Sequence, residues 1–383
     1  MNKRHSLLAL VLLLPACGRS TPIEPINIGH IGALSGPERG ADVAAAQGLR
    51  LALLDAGGID IEGRPLQIRH TDTRGALDAY DAQAVRLVYV SRAAFLYGGD
   101  TPAEVLRLDR SRVPVLTPCG FRPAGLSKDI FSLGLTPAFQ GRTLARFAME
   151  RLSVVSLLSA APNPLAFFLE APHVVLIKDE TSAEAEAVAR AFSDEWETRK
   201  KNEDVPLGSP VILTFGKEKP WKEIAEQAQK GGISCLVFAG KAEDFSAFLE
   251  RLTPKPALVI YGGADGSLAD APAGQAVYRV TAFAANAEDV SVQAFARKYR
   301  DAYKSEPTVQ AALAYDGLRL LIEGMKRAVS SDTSTSAELR KLNHFAGVTG
   351  NYSFTPEQTL RRPAYLVRQE RGAMKVEGRI EPD

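Results

Sequence analysis

The chain of 383 residues contains few of the residues from which redox centres and metal sites are built. It has 3 cysteines and 5 histidines, and no two histidines stand three or four positions apart. The zinc-binding patterns Cys-x-x-Cys and His-Glu-x-x-His do not occur. Lys and Arg number 46 against 45 Asp and Glu, and the resulting net charge of +1 does not favour a polyanion. We therefore expect no metal, no cofactor and no nucleic-acid partner.

Long apolar runs are also missing, apart from one near the N-terminus. "SLLALVLLLPA" (residues 6–16) follows two basic residues and is shorter than the roughly 20 apolar residues that span a bilayer. This pattern is typical of a secretory signal peptide. "LPAC", which ends at Cys17, resembles a bacterial lipobox, whose cysteine receives a diacylglycerol thioether. We predict a signal peptide over 1–16 and a lipid-anchored linker over 17–25; the alternative is an ordinary secretory signal with an incidental cysteine.

Acyl chains on Cys17 would hold the mature chain at a membrane, because each buried methylene contributes about 0.8 kcal/mol. We therefore expect a protein of the cell envelope on its periplasmic side. Gly18 is not the aspartate that retains enterobacterial lipoproteins in the inner membrane, and the choice between inner and outer membrane stays open. About 365 residues follow the signal peptide, which is enough for two domains.

Short apolar runs alternate with helical stretches, which indicates an α/β fold with parallel sheets. A first series of strands and helices runs from "INIGHIGAL" to "VPVLTPCG" (residues 113–120). A second series begins near residue 139 and includes the strands "HVVLIKDE", "SCLVFAG" and "ALVIYGGADG". Within it, the hydrophobic segment 151–172 is either an insertion packed on this part or a loop against another surface. Two long helices and a β-rich region complete the chain.

The order of these elements and several local strings resemble one family of bacterial proteins. The strings are "IGALSGP", "LLDAGGIDIEGRPLQIRHTDT", "VPVLTPCG", "YGGADGSL", "AALAYDGLRLL" and "GVTGNYSF". They are similar to those of the branched-chain amino-acid (leucine/isoleucine/valine) type of ABC-transporter substrate-binding protein. The resemblance extends from residue 26 to the end. It implies the type I fold of periplasmic binding proteins: two Rossmann-like lobes, each a parallel sheet flanked by helices, joined by three crossovers with a ligand cleft between.

The resemblance also implies how the chain divides between the lobes. We place lobe 1 at 26–138 plus 280–345, lobe 2 at 139–279 plus 346–383, and the crossovers near 131–139, 276–284 and 344–350. Bending at the crossovers would close the cleft over a ligand.

Read from the residues alone, the loops that follow the strands offer backbone N–H groups to a ligand. "SGPERG" adds the Arg39 guanidinium, "GGDT" adds the Thr101 hydroxyl, and "TPCGF" offers the N–H groups of Cys119 and Gly120 beside Phe121. Such N–H groups and the nearby helix N-termini suit an anionic ligand group. The alternative for each glycine is ordinary turn geometry.

In the family that the chain resembles, these loops hold an amino acid by both of its charged groups. Thr101 and the loop of Cys119 and Gly120 match the positions that bind the α-carboxylate. Asp265, in "GGADG", matches the acidic residue that binds the α-ammonium group. The alternative for Asp265 is a turn residue.

The chain departs from the family where an aromatic cage is expected around an aliphatic side chain. Arg39 stands in the first loop, and Lys241 stands at a further aromatic position. Thr181 lies where Tyr-Gly is common, and either it or Ser182 faces the cleft or caps the following helix. Phe121 stands where a hydroxyl is often found. The two cations favour a ligand with an extra carboxylate, because a buried charge needs a partner.

Two alternatives remain for these cations and for the thiols. Arg39 and Lys241 could instead form ion pairs across the cleft with Asp265 or Glu180. Cys119 and Cys235 could pair in an exported protein. We predict two free thiols, because the sequence places one in a loop and the other inside a distant strand.

Three functions compete at this point. The first is a solute-binding lipoprotein that captures an amino acid or another carboxylate-bearing solute for an ABC permease. The second is a sensor or regulatory lipoprotein on the same fold, which binds a ligand or a partner protein without transport. The third, an enzyme, has least support: G-x-S-x-G is absent, and Cys119 has no histidine near it in sequence.

Overall fold

The computed structural model describes residues 23–37, 39–57, 60–159, 173–203, 207–266, 268 and 274–382, with only the backbone for 60, 154–159 and 203. The predicted signal peptide, Cys17 and most of the hydrophobic segment 151–172 lie outside these residues. None of the helices in the described part is long and apolar enough to cross a bilayer.

The helices and strands alternate through most of the chain. The strands are β1 (Ile26–Gly32), β2 (Asp60–Ile61), β3 (Arg64–Asp72), β4 (Ala93–Gly98), β5 (Val115–Thr117), β6 (Ile130–Ser132), β7 (Val174–Asp179), β8 (Val211–Phe215), β9 (Cys235–Ala239), β10 (Leu258–Tyr261), β11 (Val277–Thr281), β12 (Phe345–Gly347), β13 (Gly350–Phe354), β14 (Leu360–Arg361), β15 (Ala364–Glu370) and β16 (Ala373–Ile380). The helices are α1 (Gly40–Asp55), α2 (Ala79–Val85), α3 (Pro102–Leu108), α4 (Pro137–Ser159), α5 (Ala183–Glu203), α6 (Trp221–Gln229), α7 (Ala242–Leu249), α8 (Val290–Tyr303), α9 (Val309–Ser331) and α10 (Thr335–Lys341).

The first lobe is built on a sheet in the order β2-β3-β1-β4-β5-β6, in which every pair except β2–β3 is parallel. β1 lies inside this sheet, and its residues from Ile28 onward are buried. A strand buried on both faces is expected where helices cover a parallel sheet. Helix α9 packs against α1 and returns to this lobe late in the chain.

The second lobe is built on a sheet in the order β16-β15-β11-β10-β9-β7-β8. Strands β7 to β11 pair in parallel, whereas β15 and β16 add an antiparallel edge. Helix α4 packs on α5, where the Arg146 guanidinium lies 2.7 Å from the Glu195 carboxylate. The predicted α/β class with two parallel sheets flanked by helices is confirmed.

The chain passes three times between the lobes, after β6, after β11 and after β14. The third passage lies at 362–363, later than the predicted 344–350. Strands β12 to β14 precede it and pack on the first lobe, although the sequence predicts 346–383 in lobe 2. The Asp316 carboxylate of α9 accepts hydrogen bonds from the backbone N–H groups of Val348 and Thr349 at 2.9 and 2.8 Å. These bonds keep the hairpin on lobe 1, so only β15 and β16 join lobe 2.

Candidate functional site

A cavity of about 240 Å³ lies between the lobes, at the carboxyl ends of strands from both sheets. It is lined by Ala41, Asp100, Thr101, Pro118, Cys119, Gly120, Gly134, Leu135, Gln140, Glu184, Ala264, Asp265, Gly266, Gln310 and Leu313. A wider cavity of about 1000 Å³ adjoins it along the hinge and shares three of these residues. We take the smaller cavity as the candidate site, because ligands of open α/β sheets bind beyond the carboxyl ends of the strands.

Half of the residues that the sequence predicts for the site line this cavity: Thr101, Cys119, Gly120 and Asp265. Groups of Thr101, Cys119 and Asp265 already have partners within the chain, however. The Thr101 N–H donates to the Glu104 carboxylate at 2.9 Å and the Thr101 hydroxyl accepts from the Glu104 N–H, which forms a capping box at the start of α3. The Cys119 N–H donates to the Thr117 hydroxyl at 3.1 Å. The sequence predicts that these loops hold a carboxylate. The N–H groups of Thr101 and Cys119 already have partners and are not free to do so.

Asp265 lines the cavity, but its carboxylate is held from another side. The Ala282 N–H donates to it at 2.6 Å, and Arg279 Nη1 lies 3.4 Å away. Its backbone carbonyl accepts from the Gln310 amide at 3.2 Å. The carboxylate thus has partners before any ligand arrives, and its predicted role as the ammonium ligand stays a prediction.

The other predicted residues do not line the cavity. Arg39 and Lys241 are exposed, each just before the first residue of a helix, α1 and α7 respectively. Thr181 is exposed, and both its N–H and its hydroxyl donate to Asp179. Ser182 caps α5 by accepting from the Ala185 N–H at 3.2 Å. Phe121 packs against an apolar cluster of lobe 1.

The cavity is therefore lined by acidic residues and not by the cations Arg39 and Lys241. No Lys, Arg or His lines it within the described residues, and neither does an aromatic ring. The expectation of an extra ligand carboxylate depended on Arg39 and Lys241, and neither side chain reaches the cavity. The positions of Arg39 and Lys241 therefore give that expectation no support, and it stays a prediction.

Sequence reasoning missed three side chains that do face the cavity: Asp100, Gln140 and Glu184. Asp100 follows β4, while Gln140 and Glu184 lie in the first turns of α4 and α5. The signal was available in principle, because the first turn of a helix that follows a strand lies at the cleft edge of the sheet. Polar residues are common in the first turn of any solvent-exposed helix, so their polarity alone does not indicate a site.

Three carboxyl groups in or beside the cavity have raised pKa values. Burial raises the pKa of Glu184 to about 7. Burial also raises the pKa of Asp42 to about 7, against the opposing effect of the Ala33 N–H, which donates to Asp42 at 2.7 Å. The pKa of Asp100 is raised well above its usual value, first by burial and then by the charges of Asp42 and Glu104. The cavity therefore holds carboxyl groups that lack a cationic partner among the described residues.

Neither thiol of the described chain is poised for chemistry. Cys119 and Cys235 are both free and buried, as predicted. Burial raises the pKa of each thiol, and at Cys119 the Glu184 charge adds to the effect. The Cys119 thiol donates to the Phe121 carbonyl at 3.3 Å. Within the described residues no cluster of three or more His, Cys, Asp or Glu could hold a metal ion.

Solved structures of solute-binding proteins share this architecture. LivJ, a branched-chain amino-acid transporter substrate-binding protein from Streptococcus pneumoniae in complex with isoleucine, is 21% identical, with a TM-score of 0.71 over 94% of this chain and 99% of that one. A Rhodopseudomonas palustris solute-binding protein in complex with 4-hydroxybenzoate is 14% identical, with a TM-score of 0.73 over 94% and 98%. LivK, a leucine-binding protein from Thermotoga maritima, is 18% identical, with a TM-score of 0.71 over 94% and 99%. At these identities the likeness shows the fold.

The family is shown by sequence over nearly the whole chain. No curated protein matches the chain. The model of a family described as periplasmic binding protein matches residues 25–373. This match spans both lobes, all three passages between them and every residue that lines the cavity. The chain belongs to the periplasmic binding protein family.

Proposed function

We propose that this chain is an extracytoplasmic solute-binding protein that captures one small polar molecule between its lobes and performs no chemistry on it. The cavity supports this proposal, because both lobes line it and bending at the three passages can open it. Its volume of about 240 Å³ lies near the lower end of the roughly 300–1,000 Å³ usual for small-molecule sites. The ligand is therefore small.

Delivery to an ABC permease is the second part of the proposal. The family match supports it, as do the neighbours that bind isoleucine or 4-hydroxybenzoate as ABC-transporter proteins. Lipid attachment at Cys17 would keep the chain at the membrane where the permease lies. Cys17→Ser tests the anchor: release of the full-length chain from the membrane fraction supports it, and unchanged membrane association overturns it.

A sensor or regulatory lipoprotein remains the second candidate. It is favoured by the side chains that depart from the family's cage, since no aromatic ring lines the cavity in the described residues. Deletion of the protein in its native cell separates the two functions. Loss of uptake of the ligand supports the transport role, whereas normal uptake with an altered response to the ligand supports the sensor.

Ligand-dependent stability tests solute binding itself. A solute that binds only the folded chain stabilises it by about 2.7 kcal/mol at a hundredfold excess over Kd. We expect one chemical class among amino acids, carboxylates, amides and amines to raise the unfolding midpoint of the chain beginning at residue 18. Leu313→Trp, which fills the cavity, should abolish that shift. A panel without any shift would contradict solute binding.

A further inference from the structure

Three polar side chains that line the cavity have no partner in the described chain. Gln140 is only 3% exposed and lines the cavity. Its side-chain amide makes no hydrogen bond within the described residues. Asp100 and Glu184 are half-buried, and their carboxylates also make no hydrogen bond or ion pair within the described residues. Buried polar groups are nearly always paired in native proteins. One buried and two half-buried polar groups without partners face the same cavity, which indicates that a ligand completes them.

The two lobes contribute to this set from opposite sides. Asp100 follows β4 of lobe 1, whereas Gln140 and Glu184 belong to helices of lobe 2. Two further carboxylates lie nearby, Asp265 in the lining of the cavity and Asp42 next to Asp100, and both already have partners. Asp42 accepts from the Ala33 N–H, and Asp265 is paired with Arg279. Only Asp100 and Glu184 are thus left to act on a ligand by charge.

The charge of these groups limits what the cavity can hold. A ligand carboxylate would lie among carboxylates in a site where no described Lys, Arg or His faces it. Like charges brought together away from water repel strongly, because the local dielectric constant is low. A ligand with positively charged N–H groups would instead supply the missing partners.

We infer that the solute is a small organic cation bearing N–H donors, of the amine, amidine or guanidine class. The inference rests on the proposed solute-binding function and names its ligand class. Asp100 and Glu184 each accept a charge-assisted hydrogen bond from the ligand, and the Gln140 amide carbonyl accepts a third. Because these acceptors come from both lobes, the cation joins the lobes. Binding and closure are therefore coupled.

Agmatine, putrescine, guanidinium and arginine serve as probes, against glutarate and 4-hydroxybenzoate as anions and leucine and urea as uncharged controls. We expect at least one of the cations to raise the unfolding midpoint and to titrate by calorimetry, and the anions to do neither. Glu184→Gln and Asp100→Asn should each weaken the cation roughly tenfold or more, because each removes a charge-assisted bond. Glu180→Gln, an exposed acid beside β7, is the matched control and should leave Kd unchanged.

The outcomes distinguish failure of this inference from failure of the proposed solute-binding function. Binding of an anion, or of leucine with a Kd that Glu184→Gln does not change, overturns the cation while it supports solute binding. A cation whose affinity falls equally in Glu180→Gln and Glu184→Gln also overturns it, since a non-specific charge effect explains that result. No binding from any class overturns both. Replacement of each of these acids by its amide should not impair folding, and circular dichroism of each variant verifies this.

Discussion

Arg279 Nη1 lies 3.4 Å from the Asp265 carboxylate, and both side chains are more than nine-tenths buried. The pair connects the loop after β10 to β11, the last strand before the chain returns to lobe 1. It also removes Asp265 from the carboxylates that a ligand can use. The number of carboxylates available to a ligand therefore depends on the Asp265–Arg279 ion pair.

Loss of Arg279 should destabilise the chain strongly. Arg279→Met leaves the Asp265 carboxylate buried without its cation, and breaking such a pair costs about 3–5 kcal/mol. Urea unfolding of the single variant should show this loss. The double variant with Asp265→Leu should recover most of it, because the unpaired charge is gone. Equal unfolding free energies for the wild type and Arg279→Met would show that the pair contributes little to stability.

Affinity for a cation should rise with pH. The pKa of Glu184 in the free chain is about 7, and that of Asp42 is also about 7, so both are largely protonated at pH 5. A cation binds best when Glu184 is ionised, and binding therefore releases a proton between about pH 5 and pH 8. The other titratable residues that line the cavity are Asp100, Cys119 and Asp265, and Asp265 is paired with Arg279.

Calorimetry in buffers of different ionisation enthalpy measures the number of protons released on binding. Glu184→Gln should reduce the dependence of Kd on pH, because one titrating group is removed, and Asp100, whose pKa is also raised, leaves a residual slope. An affinity that falls as pH rises from 5 to 8 would contradict the assignment. The free chain should itself lose stability as pH rises through 7, since a raised pKa favours the folded state only while the acid is protonated.

The buried His30, which pairs with the exposed His70, should act on stability in the opposite direction. His30 Nδ1 lies 2.9 Å from His70 Nδ1, so one ring donates and the other accepts. Burial, with a smaller contribution from His70, lowers the pKa of His30 to about 3. The charged and aromatic neighbours are Arg50, which lowers the pKa of His70, and the Tyr97 ring, 6.0 Å from that of His30.

Folded His30 thus remains neutral where the unfolded residue takes up a proton. Its contribution is present above about pH 6.5 and declines as pH falls toward 3, by roughly 2 kcal/mol between pH 6.5 and 5. His30→Phe should reduce the pH slope of the unfolding free energy in that range. An unchanged slope would show that His30 takes up its proton in the folded state as well.

Gly120 should tolerate no side chain. A Cβ at Gly120 would overlap the backbone carbonyl of Leu135, and one at Gly134 would overlap that of Pro118. The loops after β5 and β6 therefore meet backbone to backbone at the cavity floor. Gly120→Ala should lower the unfolding midpoint and weaken ligand binding. Gly208→Ala, where nothing lies within 4 Å, is the control, and equal midpoints for the two variants would contradict this packing.

The fold could be predicted from the sequence because its signals are local and repeated. Strands such as β9 are apolar throughout and are separated by helical periods, which suffices for two parallel sheets. The third passage was misplaced because its position depends on Asp316, which binds backbone groups more than thirty residues away. No local pattern indicates such a contact.

The candidate site was predictable as a set of loops but not as a set of side chains. Thr101, Cys119, Gly120 and Asp265 were found because strand ends meet at one edge of a sheet. Whether a side chain turns into the cavity depends on the neighbours it meets. Arg39 and Lys241 remain at the surface, while Glu184 turns inward, and all three stand at or near the start of a helix.

Closure of the cleft over a ligand is the central claim, and a distance between the lobes measures it directly. Arg39 and Lys241 are exposed on the cleft-side loops of lobe 1 and lobe 2, and both native thiols of the described chain are buried. Spin labels at Arg39→Cys and Lys241→Cys therefore report on the two lobes. We predict that the distance distribution, measured by pulsed electron resonance, shortens and narrows when the cation that raises the unfolding midpoint is added. An unchanged distribution with that ligand bound would contradict the account.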